Sequence, residues 1–572
     1  MTLKSNNKFL LLIVILFVAS LVLYVISSLY QIHAWADTSN LFGNFYEIKN
    51  NKTIYTDVFV HRGPIYFFFL DVINFFIELK ISNIIYYIFI HLFFFILSII
   101  YFLSSIKIDF VKQFLVISIF LIFLMAVEID SMSFQVFHSG LMLIFIASLF
   151  NLINNNNKNL NIIIMAVIMP LIFFSRIDGV IYFIFIFLLK INYIFKIIIL
   201  AALIFVSMFF LLSSNYNFDM QNLMINSYHY NVEYRGPGAF NILYPKTDWI
   251  KKLFIISLIF NFIIFYKNKK INYFQTIILN THMIIAIITF FLLSIINFIK
   301  YLIKEIYHTI QNKTLFDSLS EYQIIFLKDA VVYLQYLLVL IFLIISWKIY
   351  NQKYKLSVKL IFSEIQIMIK DKIEIVLILV FLLEIAKFLI NNISFPSGFL
   401  LVAILPYAYL IKNNLGIKNL LFYKKLNLFV LILVLGFTAI KYQKVYNLDT
   451  NITENYKNKI SSFENFVREE KIDYILGTDA HFYKISGIKD KNIIYFDQHL
   501  LRYDLDLTKF KTAKIYSDRL KKISKISSKI MIPCFYLEFD QINTRFINKN
   551  FIKIKEFNFS NFTYCILESF IK

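Results

Sequence analysis

Near the start of the chain, residue types able to do chemistry crowd together. Asp37 lies in HAWADTSNLF, and Tyr55 to Pro64 reads YTDVFVHRGP, which sets Asp57, His61 and Arg62 against a Gly-Pro pair. A carboxylate can take the proton of an attacking hydroxyl, and the planar guanidinium of Arg offers a fork of donors that matches phosphate oxygens. A helix beginning at Pro64 would point its first N–H groups outward, so the place suits an anion. Two more acids, Glu128 and Asp130, stand in AVEIDSMSFQVF. They could join Asp37 or simply cap the helix that follows, where a carboxylate is favoured by free N–H groups and the dipole.

These groups must be positioned by membrane elements. Of the 572 residues 59% are hydrophobic, and only 11 are Gly and 7 Pro; with a mean hydropathy of +0.69 most of the chain cannot be a soluble domain. Several runs reach the roughly 20 apolar residues a helix needs to cross the hydrocarbon, and strand alternation of the barrel kind is missing, so the expected class is an all-α polytopic membrane domain. The first run, Phe9 to Tyr30, is too long for a signal peptide and reads as an uncleaved helix. Further candidates lie at 83–104, 110–127, 134–153, 160–175, 178–193, 195–213, 250–266, 274–299, 329–349, 373–391, 398–412 and 424–440, giving about 13 crossings.

Lysine clusters at 107–112, 158, 190–196, 267–270, 348–372 and 412–425 fall on the side of the N-terminus, which marks that side as cytoplasmic. The opposite face then receives the loops that carry Asp37, Arg62 and Glu128. The segment from Pro64 to about Leu79 is short and contains Asp71 and Glu78, so an amphipathic helix lying at that interface fits better than a crossing. There Arg62 either meets an anion or snorkels to headgroups. The formal charge of +21 accompanies enrichment in Ile, Lys, Asn, Phe and Tyr; basic loops of this kind report orientation, and no nucleic-acid partner is expected. The Asn-rich NLINNNNKNLN reads as a solvated loop.

From Lys441 onward the composition turns to mixed charge with strand-like alternation. A soluble α/β domain of about 130 residues is expected over 441–572, beside a transmembrane domain over 1–440. Both cysteines, Cys534 and Cys565, lie in it. Outside the cytoplasm they could pair or remain two buried thiols.

The order of an apolar helix, an Asp in the first outer loop, then Tyr-x-Asp-x-x-x-His-Arg-Gly-Pro and another apolar helix resembles the GT-C superfamily of membrane glycosyltransferases, in the branch of protein mannosyltransferases and aminoarabinose transferases. FFSRIDGVIYF at 173–183 and SFPSGFLLVAILPYAYLI at 394–411 resemble later segments of that family, without the His-Tyr often found in the second. Asp37 is followed by Thr38 where relatives carry Asp-Glu, and Asn50 or Asn51 stands where Gly is frequent. The resemblance covers residues 1–440 and implies sugar transfer from a polyprenyl-phosphate donor to a hydroxyl acceptor, with inversion, on the outer face of a bacterial inner membrane. It implies Asp37 as general base, Arg62 as the phosphate contact, and His61 and Arg176 as further contacts. The second acid would be Glu128 or Asp130, or Gln135 would replace it. Two converging carboxylates could hold Mg²⁺ or Mn²⁺; no cofactor is otherwise implied. Tyr55, Asp57 and the loop residues His229, Tyr234 and Arg235 could line a substrate groove or belong to an interfacial aromatic belt. Rival readings are a flippase for lipid-linked sugars, with Glu384 and Lys387 as its intramembrane pair, and a non-catalytic membrane scaffold.

Overall fold

The structure is a computed structural model and describes residues 11–19, 22, 45, 48, 49, 53–55, 63–76, 84–109, 111–114, 116–118, 132–224, 373, 375, 376, 379, 380, 383, 408, 424, 425, 427–436, 462, 465–476, 494–496, 525, 529–534, 537, 547–559 and 562–570. The chain divides into two compact units. One comprises Met1–Gly236, Phe395–Ile404 and Ile417–Lys572, the other Pro237–Ser394 and Leu405–Gly416. In the second unit, Ile373, Val376 and Val380 are buried on helical backbone, the i, i+3, i+7 spacing of one helix face.

The longer helices among the described residues of the first unit are, in order, α1 (Ile65–Phe76), α2 (Ile84–Ser105), α3 (Met132–Ile153), α4 (Lys158–Ser175) and α5 (Ile191–Tyr216), with a 3₁₀ helix at Ile177–Leu188. In space α2 packs on α3, α3 on α4 and α4 on α5; α3 and α4, joined by a tight turn, form an antiparallel pair. Among the described residues three stretches are long and apolar enough to cross a membrane: Val136–Ile153, Lys158–Ser175 and Ile191–Tyr216. At 1.5 Å per residue, 18 residues span roughly 27 Å and 26 residues roughly 39 Å, against about 30 Å of hydrocarbon. The span in α3 is 83% buried and that in α5 only 17%. So α3 is the interior helix, while α5 turns Phe195, Leu203, Val206 and Phe210 outward, a face suited to lipid. By length and composition this is an integral membrane protein.

The α3–α4 turn shows what its asparagines are for. Asn155 and Asn157 have positive φ, 57° and 37°, a region Asn tolerates better than most side chains. Asn161 donates to the carbonyls of Asn156 and Asn157, each at 3.0 Å, and accepts from the Tyr101 hydroxyl at 2.6 Å. Asn151 adds a bond to Tyr101 at 3.3 Å. Residues 154–158 are exposed, as a solvated loop should be, and buried Asn161 beside them ties α2, α3 and α4 at one end.

The helix expected over 178–193 is corrected in type and bounds: Ile177–Leu188 is 3₁₀, Leu189 and Lys190 are extended, and α5 starts at Ile191 rather than 195. The run IDGVIYFIFIFL contains few strong helix formers. In a 3₁₀ helix positions three apart eclipse, and Ile181, Ile184 and Phe187 form one exposed stripe while Tyr182 and Phe185 lie buried on another. A segment apolar all round offers no 3.6-residue period, so its pattern alone could not distinguish the two helices.

The described tail residues form a sheet of five strands, β1 (Tyr474–Leu476), β2 (Ile494–Phe496), β3 (Lys529–Pro533), β4 (Phe551–Phe559) and β5 (Phe562–Ser569), ordered β2-β1-β3-β5-β4. β1 runs parallel to β2 and β3, and β5 antiparallel to β3 and β4. The central strand is a continuous apolar run, with Ile530, Met531 and Ile532 buried, as strands covered on both faces are. Glu470 pairs with Lys555 and lies 3.8 Å from Lys529. The hydrogen bond from Lys555 holds its carboxyl below the usual range.

Cys534 and Cys565 form a disulfide, 31 residues apart in sequence, fastening the end of β3 to β5. The alternative of two separate thiols is thus resolved in favour of the bond. Closing such a loop is worth roughly 3–4 kcal/mol in the chain-entropy account. Maleimide labelling of the unreduced, denatured protein should modify neither cysteine, and labelling after reduction should modify both. Two reactive thiols without reductant would contradict the bond.

Candidate active site

Pro64 opens α1. Its ring fixes φ and needs no N–H partner in the first turn, and its carbonyl accepts from Phe67 at 3.1 Å and Phe68 at 3.3 Å. The helix buries Ile65, Tyr66, Phe67, Leu70 and Ile73, and leaves Phe75 and Phe76 83% and 76% exposed. Its exposed face, with Val72 as well as these two rings, is as apolar as its buried one.

Immediately before it, the N–H of Gly63 donates to the carbonyl of Ser175, the last residue of α4, at 3.2 Å. The approach is so close that a Cβ on residue 63 would fall 1.7 Å from the carbonyl oxygen of Phe174. Only glycine fits there. The contact joins two segments singled out in sequence, because Gly63 follows Arg62 and Ser175 precedes Arg176.

The junction at Arg176 is built locally. Arg176 leaves the helix in an extended conformation, φ −155° and ψ 119°, and its N–H caps the Ile172 carbonyl at 2.9 Å. Its own carbonyl accepts from Gly179 at 3.1 Å and so starts the 3₁₀ helix. Arg176 is half-buried. Ser175 Oγ donates to the Ile172 carbonyl at 2.8 Å and sits 2.8 Å from Nδ1 of His138, which α3 contributes.

A second tie stands beside the first. Ile54 N–H donates to the Tyr216 carbonyl at 3.3 Å at the end of α5, and the Tyr216 hydroxyl donates to Asp71 of α1 at 2.6 Å. Asp71 also pairs with Lys49, whose ammonium lies 5.5 Å from the Phe45 ring. Tyr55 is buried edge-on to Phe218, 5.6 Å between centroids, with φ at 70°. Burial pushes its phenol pKa up, so the ring is neutral. Positive φ costs a non-glycine residue about 1–2 kcal/mol. Packing enforces it here, and such strain gathers at functional segments.

Of the residues expected in the site, Tyr55 and Arg176 are described, and Gln135, the alternative to a second acid, lies in the first turn of α3. Asp37, Asp57, His61, Arg62, Glu128, Asp130, His229, Tyr234 and Arg235 lie outside the described residues, as does the Glu384–Lys387 pair. Four participants went unassigned in the sequence: His138, Ser175, Asp71 and Tyr216. The available signal was a polar or ionisable side chain set in or beside an apolar helix. For metal, Cys534, Cys565 and Glu556 offer ligand atoms within 4.8 Å of one another among the described residues. The two sulfurs are consumed by the disulfide, so that set does not fit an ion.

No protein-family model matches the chain, and no curated protein matches it. Among solved structures it is similar to the crystal structure of ArnT from Cupriavidus metallidurans bound to undecaprenyl phosphate, over 97% of each chain, with 9% identity and a TM-score of 0.38. A likeness that loose carries no argument about this chain.

Gly63→Ala should disrupt the junction. Even modest overpacking costs about 1–3 kcal/mol, and here the clash is with rigid backbone, so thermal unfolding in detergent should shift clearly downward. An unchanged midpoint would show that the two segments do not meet as described.

Proposed function

We propose that this chain is an integral-membrane glycosyltransferase that moves a sugar from a polyprenyl-phosphate donor to a hydroxyl of a cell-envelope glycan, lipid or protein. The reading rests on the family-like motif of residues 30–80, and the observation that carries it furthest is the Gly63–Ser175 contact. It binds together the backbone beside both arginines expected to meet the donor phosphate.

The reaction follows from these groups. Asp37 takes the proton of the acceptor hydroxyl as its oxygen attacks the anomeric carbon. A new C–O bond forms, the bond from that carbon to the phosphate oxygen breaks, and polyprenyl phosphate leaves with the electron pair. Arg62 and Arg176 stabilise the charge that develops on it, and such fixed cations act more strongly where water is scarce. His61 adds a further contact. Glu128 or Asp130 supplies a second carboxylate, which could hold Mg²⁺ or Mn²⁺ with Asp37. The site faces the outer side, with the tail over 441–572 on that side too. The disulfide supports an oxidising compartment for the tail.

Asp37→Asn should lower transfer by roughly 10²- to 10⁴-fold, the usual contribution of a positioned base, with the protein still folded. Arg62→Ala should raise the donor KM. Full transfer by Asp37→Asn would remove the base, and an unaltered donor dependence in Arg62→Ala would remove the phosphate contact.

A further inference from the structure

His138 is a buried ionisable side chain that the reaction above does not use. It comes from α3, the most buried span, and its ring is only 3% exposed. Nδ1 lies 2.8 Å from Ser175 Oγ. That hydroxyl has one proton, and it is directed at the Ile172 carbonyl, 2.8 Å away. With the proton there, Ser175 accepts from Nδ1–H of His138; on the other tautomer Ser175 donates to Nδ1. The other side of the ring abuts Gly179: a Cβ there would lie 2.9 Å from Cε1 and 3.2 Å from Nε2. The imidazole thus touches both ends of the turn that carries Arg176, at Ser175 before it and at Gly179 after it. Through the Ser175 carbonyl the same residue holds Gly63.

We propose that His138 is a positioning residue for the phosphate-binding junction, fixing Ser175 by the hydrogen bond at Nδ1 so that the turn of Arg176 is held to meet the donor phosphate. The inference rests on the glycosyltransferase reading. A mere filler of the α3–α4 interface would need volume at this position, whereas a positioning residue needs a hydrogen-bonding group. The two can therefore be separated by substitution.

The test measures binding of polyprenyl phosphate to the full chain in nanodiscs, with the matching polyprenol as uncharged control. His138→Leu and Ser175→Ala should each weaken polyprenyl phosphate about tenfold, the scale of one directed hydrogen bond, and leave polyprenol binding alone. His138→Asn, whose amide N–H sits near the place of Nδ1, should restore most of the affinity. The double variant should bind no more weakly than either single one, as expected of residues in one network. Equal losses with Leu and Asn, additive losses in the double variant, parallel losses for phosphate and alcohol, or no loss would each overturn the proposal. Should His138→Leu fail to fold, Ser175→Ala decides it alone. If the unaltered protein shows no preference for the phosphate over the alcohol, the glycosyltransferase reading fails first and takes this inference with it.

Discussion

The carbonyl end of α4 is the constraint on which the neighbouring structure depends. A helix leaves its last carbonyls without intrahelical partners, and in an apolar setting each unsatisfied group is costly. Here Ile172 is satisfied by the Arg176 N–H and the Ser175 hydroxyl, and Ser175 by the Gly63 N–H. Each solution imposes something else. Ser175 must carry a hydroxyl, Arg176 must turn out of the helix, and residue 63 must lack a side chain.

The same end of the bundle repeats the device at α5, where the Tyr216 carbonyl takes the N–H of Ile54 and the hydroxyl reaches Asp71. Two loop segments are thereby stitched to two helix ends, with α1 lying between them. Individual hydrogen bonds contribute only about 1 kcal/mol net, so the order of this face comes from their being shared among α1, α3, α4 and α5. The opposite end is held differently, by the knot of Tyr101, Asn151 and Asn161, and carries the sharp turn of the asparagines. Loops fastened to rigid helix ends are the arrangement that the proposed anion site needs.

Much of this was legible in the sequence because membrane helices announce themselves by length and apolarity. The spans expected at 83–104, 134–153 and 160–175 lie within one to two residues of α2, α3 and α4 at each end, and the short helix after Pro64 is where the Gly-Pro pair and Asp71 suggested. The 3₁₀ helix was not legible, since an all-apolar run has no polar face to mark its period. Nor was the meeting of Gly63 with Ser175, because a backbone contact between distant segments leaves no pattern beyond a glycine and a serine. His138 is one polar residue in a hydrophobic helix, and no sequence pattern marks the turn around Arg176 that folds about it. In the tail, spacing left the cysteine pairing open, and only the adjacency of β3 and β5 closed it.

The most direct measurement of the central claim is photocrosslinking of the purified protein with a polyprenyl phosphate that carries a diazirine on the isoprenoid unit next to the phosphate, followed by mapping of the modified peptides. The account predicts adducts in both the segment 53–64 and the segment 173–180, lost together when excess unlabelled polyprenyl phosphate is added. Adducts confined to other segments, or insensitive to competition, would contradict it.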